Sequence, residues 1–145
     1  MKRLIFIILC TISVLIASAQ DLHVNDCFSD NILDNKCVTA VKVKGERLDA
    51  YKLSTFRSIT ITDNQHLATW VRKCVAHDAS LANDREEGVK NGVLQYGFYV
   101  FRKSGKKYRY IFYRNNNPGK SSISDVTLVY MEGKATLSEL KQMFK

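Results

Sequence analysis

The chain has 145 residues and carries 22 Lys or Arg against 14 Asp or Glu, which gives a formal net charge of +8 at pH 7. This length is sufficient for one domain with a single hydrophobic core. The sequence contains one proline, no internal repeat, no low-complexity tract and no second long apolar segment, which excludes repeat proteins and multi-span membrane proteins.

The first 19 residues have the three parts of a secretory signal peptide. Lys2 and Arg3 form a positive start, Leu4–Ile16 is an apolar run, and Ala17-Ser18-Ala19 matches an A-x-A cleavage site. The apolar run has 13 residues, whereas a membrane-spanning helix needs about 20, so a short N-terminal membrane anchor is the less favoured alternative. Cys10 lies inside the apolar run and not at the cleavage point, which argues against a lipoprotein anchor.

We therefore expect residues 1–19 to be removed and residues 20–145 to form a single exported domain, periplasmic or secreted, with no integral membrane span after cleavage. Loss of Lys2 and Arg3 leaves 20 basic and 14 acidic residues, so the net charge of the mature chain is +6. Export also separates the chain from nucleic acid, which we do not expect as a partner.

Three cysteines remain after cleavage, Cys27, Cys37 and Cys74, and an odd number outside the cytosol indicates one disulfide and one spare thiol. The segment between Cys27 and Cys37 is polar and loop-like, and a bridge there would staple residues 20–37 with about 2.8 kcal/mol of chain-entropy stabilisation. We expect this pairing, but spacing alone does not fix the connectivity. Metal ligation is the rival hypothesis, and the sequence offers it neither a C-x-x-C spacing nor a clustered histidine.

A helix is predicted after Thr62 or Asp63, either of which is a suitable cap for its first turn. Its apolar residues recur at helical spacing and form one stripe: Leu67, Trp70, Val71, Cys74 and Val75. Cys74 on this stripe is typical of a small buried side chain. His77 follows three residues later, but no third group is evident that would orient a catalytic Cys–His pair.

The remaining patterns predict an α+β domain. Alternating residues predict strands at Val38–Lys44 and Arg57–Thr62, two long strands between Val93 and Arg114, and a strand from Val126. The capping box Thr136-Leu-Ser-Glu139 predicts a C-terminal helix, and the polar segment SLANDREEGVKNG is predicted to be a mobile connection. Without βαβ alternation, we predict a largely antiparallel sheet of about four to five strands with two or three helices on one face.

The stretch GFYVFRKSGKKYRYIFYR is both aromatic and basic. A two-residue turn at Ser104-Gly105 would pair Tyr99 with Tyr110. Because side chains alternate between the faces of a sheet, this register predicts an aromatic ladder on one face, which is our candidate binding surface: Tyr99, Phe101, Tyr108, Tyr110 and Phe112. The opposite face, which carries Phe98 and Ile111, is then expected to pack against a helix.

The same stretch has the aromatic and basic character of an RNA-binding sheet, in which rings stack on bases. Export and the order of the elements, which is not βαββαβ, both disfavour this function. Paired aromatic residues also stabilise strands by cross-strand contact, by about 0.2–1 kcal/mol per pair. The ladder is therefore either a contact surface or is covered by another element.

The C-terminal part of the chain, from RSITITDN through the hairpin to DVTLVYMEGKATLSELKQMF, resembles a family of small exported proteins of unknown function from Gram-negative gut bacteria. In this family a strand leads into an amphipathic helix, and a hairpin, a hydrophobic strand, a glycine and a short Leu-containing helix follow. The matching positions are Ile59, Ile61, Gly133, Leu137 and Leu140. The resemblance implies a fold and an exported location, and it implies no catalytic residues. Cys27 and Cys37 lie outside it.

No catalytic motif is visible, and His23, His66 and His77 lack the spacing of a metal site, so we expect no metal and no cofactor. We predict an exported, non-enzymatic binding or interaction module for a protein, peptide or envelope component, acting through its sheet face. The alternative is an enzyme or small-molecule carrier whose pocket has no sequence motif. A large cavity with convergent polar groups would favour the alternative, and a flat exposed aromatic patch would favour the binding module.

Overall fold

The computed structural model describes residues 21–102, 107–120 and 122–143, so the predicted signal peptide and the predicted turn at Ser104-Gly105 lie outside the described residues. One six-stranded antiparallel sheet has the order β1-β2-β6-β5-β4-β3. Its strands are β1 (Val38–Lys44), β2 (Leu53–Ile61), β3 (Asp84–Lys90), β4 (Val93–Arg102), β5 (Tyr108–Asn115) and β6 (Val126–Gly133). The helices are α1 (Asp30–Leu33), α2 (Gln65–Ala79) and α3 (Leu137–Met143), with 3₁₀ helices at His23–Phe28 and Glu46–Tyr51. Within these described ranges, no helix combines the length and the apolar character that a membrane crossing requires.

The predicted number of strands was wrong, because the sheet has six strands and not four or five. The additional strand is β3, which forms from the polar segment that we expected to be a mobile connection and pairs with β4. Asn91 and Gly92 join the two strands, and both have the positive φ, 53° and 74°, that a tight hairpin turn requires. β3 lies at the edge of the sheet and is largely exposed, so it lacks the apolar alternation from which strands are recognised.

Helices cover both faces of the sheet, whereas we predicted them on one face. α2 and the N-terminal 3₁₀ helix (His23–Phe28) pack on what we call the α2 face, whose buried strand residues include Ile59, Ile61, Ile111, Tyr113 and Leu128. α3 and the Glu46–Tyr51 helix pack on the α3 face, with Phe98, Tyr110, Phe112, Val129 and Met131. Alternate residues of β4, β5 and β6 thus belong to different apolar clusters, and strands that are apolar on both sides need cover on both.

The helix caps were predicted with mixed success. The N-cap of α2 is Asn64, whose side-chain oxygen accepts a hydrogen bond from the Leu67 N–H, and not Thr62 or Asp63. The capping box before α3 is confirmed. The Glu139 N–H donates to the Thr136 hydroxyl at 3.2 Å, and the Thr136 N–H donates to the Glu139 carboxylate at 2.8 Å.

Candidate functional site

The hairpin formed by β4 and β5 has a register one residue away from the predicted one. Val100 and not Tyr99 lies opposite Tyr110, and Phe98 and not Gly97 lies opposite Phe112. Because side chains alternate along a strand, a shift of one residue exchanges the faces of one strand relative to the other. The predicted ladder therefore does not form on a single face.

The five predicted residues are divided between the two faces of the sheet and are mostly buried. Tyr99 and Phe101 lie in the cluster beneath α2, while Tyr110 and Phe112 are buried on the α3 face, with Tyr108 partly buried beside them. The hydroxyls of the two central tyrosines have internal partners. Tyr99 donates to Glu87 at 2.8 Å, and Tyr110 donates to the backbone oxygens of Gly133 and Ala135 at 3.2 and 2.6 Å. These rings thus stabilise the sheet instead of forming one exposed platform.

Two of the predicted residues do share a concave surface. Tyr108 and Tyr110 line a cleft of about 650 Å³ on the α3 face, which we call the tyrosine cleft. Its other lining residues come from the start of β3, from β4 and from the segment around α3: Asn83, Asp84, Val100, Arg102, Lys134, Ala135, Thr136 and Leu137. This surface contains both an acid and bases, so it has no single charge preference.

A second cleft, of about 620 Å³, lies where α2 meets the β3–β4 turn and the β5–β6 loop. Gln65, Thr69 and Arg72 are at positions i, i+4 and i+7 of α2, so they project from one side of that helix. The remaining lining residues are Lys90, Asn91, Val93, Gln95, Asn115, Pro118, Gly119, Lys120, Ser122 and Ile123. We call this surface the basic cleft, after Arg72, Lys90 and Lys120.

Hydrogen bonds fix the β5–β6 loop at the wall of the basic cleft. Asn115 is buried; its amide nitrogen donates to the Gln95 side chain at 3.4 Å, and its oxygen accepts from the Asn117 N–H at 3.0 Å. The Asn116 N–H donates to the Asp125 backbone oxygen at 2.9 Å, and the Asn117 side chain donates to the Asp125 carboxylate. The two ends of the loop are therefore linked to each other in advance of any binding event.

The electrostatic character of the basic cleft is one-sided. Arg72, Lys90 and Lys120 line it, and none of its described lining residues is acidic. Among the residues that the structure describes, no carboxylate forms a salt bridge with any of the three. Arg72 acts on the nearby Tyr113: burial raises the pKa of that tyrosine to about 12, and the guanidinium opposes the increase. Unpaired cations that converge on one concavity create a positive potential that attracts anions.

A third group of polar side chains lies where the N-terminal 3₁₀ helix meets the C-terminal end of α2. The Asp78 carboxylate is 1% exposed and accepts the backbone N–H groups of His23 at 2.9 Å and Val24 at 2.8 Å. The rings of His23 and His77 lie above it, exposed, with their centroids 3.7 Å apart. The His77 Nδ1 is 3.6 Å from the Asp78 Oδ1. Two imidazoles and one carboxylate thus converge on one point.

The cysteines do not have the arrangement that we predicted. Cys27, Cys37 and Cys74 are all free thiols, so the structure contains no bridge between Cys27 and Cys37. Cys27 lies on the buried side of the N-terminal 3₁₀ helix, where its thiol interacts directly with that of Cys74 on α2. That interaction raises the pKa of Cys27 and lowers the pKa of Cys74. The docking of the 3₁₀ helix on α2 therefore selects a different neighbour for Cys27.

The order of β6, Gly133 and α3 follows the pattern on which the family resemblance was based. A model described as a family of unknown function (DUF6108) matches residues 11–144. The chain belongs to the DUF6108 family. No curated protein and no solved structure matches this DUF6108 protein. Membership in a family of unknown function is thus confirmed.

Sequence patterns missed both the basic cleft and the His23–His77–Asp78 group. For the basic cleft one signal was present: an Asn-Gly pair within VKNGV is typical of a two-residue hairpin turn, and that hairpin places Lys90, at the end of β3, in the lining of the cleft. For the His23–His77–Asp78 group no sequence signal was present, since His23 and Asp78 are 55 positions apart and meet only through helix docking.

Proposed function

We propose that this DUF6108 protein is an exported, non-enzymatic binding module in the periplasm of a Gram-negative bacterium, and that its ligand is an acidic saccharide held in the basic cleft. The signal-peptide pattern of residues 1–19 and the resemblance to exported proteins support the location. The observation that carries the binding proposal is the convergence of Arg72, Lys90 and Lys120 on one cleft whose described lining contains no acid.

The charge of the cleft favours an anionic ligand. A guanidinium binds a carboxylate through two parallel hydrogen bonds, and lysines add point charges around it. Arg72, Lys90 and Lys120 are not neutralised by salt bridges with described residues, so a ligand would not have to displace an internal partner. The mature chain carries a net charge of +6, which further favours the approach of anions.

The neutral lining residues favour a ligand with hydroxyl groups. Gln65, Thr69, Gln95, Asn91 and Ser122 offer amides and hydroxyls, each of which can both donate and accept hydrogen bonds. Alternating donors and acceptors match the hydroxyls of a sugar ring. The volume of about 620 Å³ lies within the range of small-molecule sites, about 300–1,000 Å³. A bare anion would use only part of this surface, whereas one or two acidic sugar rings would use most of it.

The chemistry of the lining favours binding over catalysis. Among its described residues there is no carboxylate, imidazole or thiol, which are the usual general bases and nucleophiles. The hydroxyls of Thr69 and Ser122 therefore have no carboxylate or imidazole within the described lining to activate them. The alternative is an enzyme, and turnover of the bound saccharide would be its signature.

The proposal is tested by calorimetric titration of the mature protein with a disaccharide of hexuronic acids. We expect saturable binding that weakens with salt, and loss of at least about tenfold in affinity for Arg72→Gln or Lys120→Gln, since a charge-assisted hydrogen bond contributes about 1.5–3 kcal/mol. Lys73→Gln is the matched control, because Lys73 is exposed on the same helix and lines a different surface.

Three outcomes would overturn the proposal. Equal binding of the methyl-esterified disaccharide would exclude recognition of the carboxylates. Equal binding of inorganic phosphate would exclude recognition of the sugar. Cleavage of the disaccharide by the wild-type protein would establish the enzyme instead of the binding module.

A further inference from the structure

The junction between the N-terminal 3₁₀ helix and α2 brings together two histidines from separate elements. His23 and His77 are both exposed, and their ring centroids are 3.7 Å apart with an angle of 52° between the ring planes. Their nitrogens and the Asp78 carboxylate offer three ligand atoms that all lie within 4.8 Å of one another. This group lies between the N-terminal 3₁₀ helix and α2, outside the lining of the basic cleft, and takes no part in the function proposed above.

The carboxylate in this group is held in place by the backbone. Asp78 accepts hydrogen bonds from the N–H groups of His23 and Val24, at 2.9 and 2.8 Å, and it is buried. The same bonds fix the position of the His23 backbone relative to α2, and the His23 side chain therefore extends from a fixed backbone position. A carboxylate oxygen has two lone pairs, and each Asp78 oxygen accepts one of these N–H groups, so one lone pair on each remains for a further partner. The Asp78 Oδ1 also lies 3.6 Å from the His77 Nδ1, and this distance is too long for a hydrogen bond.

Capping of the 3₁₀ helix accounts for Asp78, but it does not account for the histidine pair. Two exposed imidazoles in contact gain little from packing, and they repel each other when both are protonated. As neutral rings they can instead direct one nitrogen each toward a common ion, with the carboxylate as the third ligand. Neutral imidazole nitrogens select zinc and the later first-row transition metals over magnesium and calcium, which take oxygen ligands.

We propose that His23, His77 and Asp78 form a binding site for a divalent transition-metal ion of the zinc class. In a tetrahedral site with bonds of about 2.0–2.1 Å, neighbouring ligand atoms are about 3.3 Å apart. The ligand atoms here lie within 4.8 Å of one another, and because both histidines are exposed, rotation of their side chains closes the remaining gap without movement of the core. Three protein ligands leave the fourth position to water, and the ion would pin the N-terminal 3₁₀ helix to α2.

The test is a titration of the tag-free mature protein with Zn²⁺ alone, followed by calorimetry and by competition with a chromophoric chelator. We expect one ion per chain, and we expect His23→Ala and His77→Ala each to weaken binding by at least about tenfold, as loss of a ligand does at least as much as loss of a group that supports one. His66→Ala is the matched control, since His66 is also exposed on α2 and should leave the affinity unchanged. Substitution of Co²⁺ should give a spectrum of nitrogen and oxygen ligands without a sulfur-to-cobalt charge-transfer band.

Two results would overturn the proposal. If the double variant His23→Ala/His77→Ala, shown to be folded by circular dichroism, binds Zn²⁺ as tightly as the wild type, the histidines are not ligands. If binding is lost in Cys74→Ser but retained in the histidine variants, the ion is held by the thiols of Cys27 and Cys74.

Discussion

Phe98 faces Phe112 across β4 and β5, with their ring centroids 4.6 Å apart. The predicted two-residue turn would have placed Gly97 there. The predicted turn would leave an even number of residues between any two paired positions, whereas five residues lie between the paired residues Arg102 and Tyr108. The observed register therefore differs from the predicted one by one residue. This single shift moves Phe98 to the same face as Phe112, and it divides the predicted aromatic ladder between the two faces of the sheet.

The Phe98–Phe112 contact predicts a large loss of stability for Phe98→Ala. The side chain is buried on the α3 face, and deletion of a buried phenylalanine side chain costs about 3–5 kcal/mol. Tyr96→Ala, two residues earlier on the same strand, should cost less, because Tyr96 is 39% exposed. Urea denaturation measures both, and equal losses for the two variants would contradict the observed register and burial.

Two tyrosine-to-phenylalanine variants should differ in their effect on stability. The Tyr110 hydroxyl donates to the Gly133 and Ala135 backbone oxygens, so Tyr110→Phe should lower the free energy of unfolding by about 1 kcal/mol or more. The Tyr113 hydroxyl is buried and has no hydrogen-bond partner among the described residues. Tyr113→Phe removes an unsatisfied buried group and should leave stability unchanged or raise it by up to about 1 kcal/mol. A loss at Tyr113 equal to that at Tyr110 would show that this hydroxyl has a partner.

Stability should fall at alkaline pH because the buried tyrosines resist ionisation. Burial raises the pKa of Tyr110 and of Tyr113 to about 12, and it also raises the pKa of Tyr99 and Tyr130. An unfolded tyrosine ionises near pH 10, so above that pH the unfolded state binds fewer protons than the folded state. The free energy of unfolding should therefore be constant with respect to these groups below about pH 10 and should decrease as the pH rises toward about 12.

The control for this pH dependence is Tyr113→Phe, which removes one of the four groups and leaves the other three. Urea denaturation between pH 8 and pH 12 should give a shallower decrease for the variant than for the wild type, because one fewer proton is released on unfolding. Identical slopes would mean that Tyr113 titrates alike in the folded and unfolded states.

The parts of the fold that were predicted correctly have local signals. β1, β4, β5 and β6 contain β-branched or aromatic residues that alternate or form long apolar runs, and Thr136 and Glu139 form a capping box within four residues of each other. β3 has a polar sequence and is stabilised by its pairing with β4, so its own residues carry little strand signal. The apolar character of both faces of β4–β6 was visible, but we assigned one of those faces to ligand binding and not to a second layer of helices.

The candidate sites depend on distant residues and so were out of reach of local patterns. The basic cleft joins α2, the β3–β4 turn and the β5–β6 loop, and the Asn-Gly pair of the turn predicts a hairpin but not a binding surface. The residues around Asp78 in the sequence indicate only the last turn of a helix. Asp78 becomes buried and accepts two backbone hydrogen bonds only because residues 23 and 24 dock on it. The expected Cys27–Cys37 bridge is absent from the structure for the same reason: proximity in sequence favoured Cys37, whereas helix packing places Cys74 beside Cys27.

Oxidation of the folded protein should join Cys27 to Cys74. The two thiols interact directly across the interface between the N-terminal 3₁₀ helix and α2, whereas Cys37 precedes β1 and lies outside both apolar clusters. With oxidised glutathione, the two thiols would give up two protons and two electrons to the glutathione disulfide, which leaves as two thiols. A bridge that closes a loop of about 48 residues should raise the free energy of unfolding by about 4 kcal/mol on the chain-entropy model.

Tryptic mapping under non-reducing conditions identifies the bridge directly, because Lys36 separates Cys27 from Cys37 and Lys73 directly precedes Cys74. The three cysteines therefore fall on three different peptides, and we expect the peptide that contains Cys27 to be linked to the one that begins at Cys74. Cys37→Ser should retain both the link and the gain in stability, while Cys74→Ser should lose both. A link between the peptides of Cys27 and Cys37 in the wild type would contradict this prediction, since Cys27 is buried and its thiol interacts with that of Cys74.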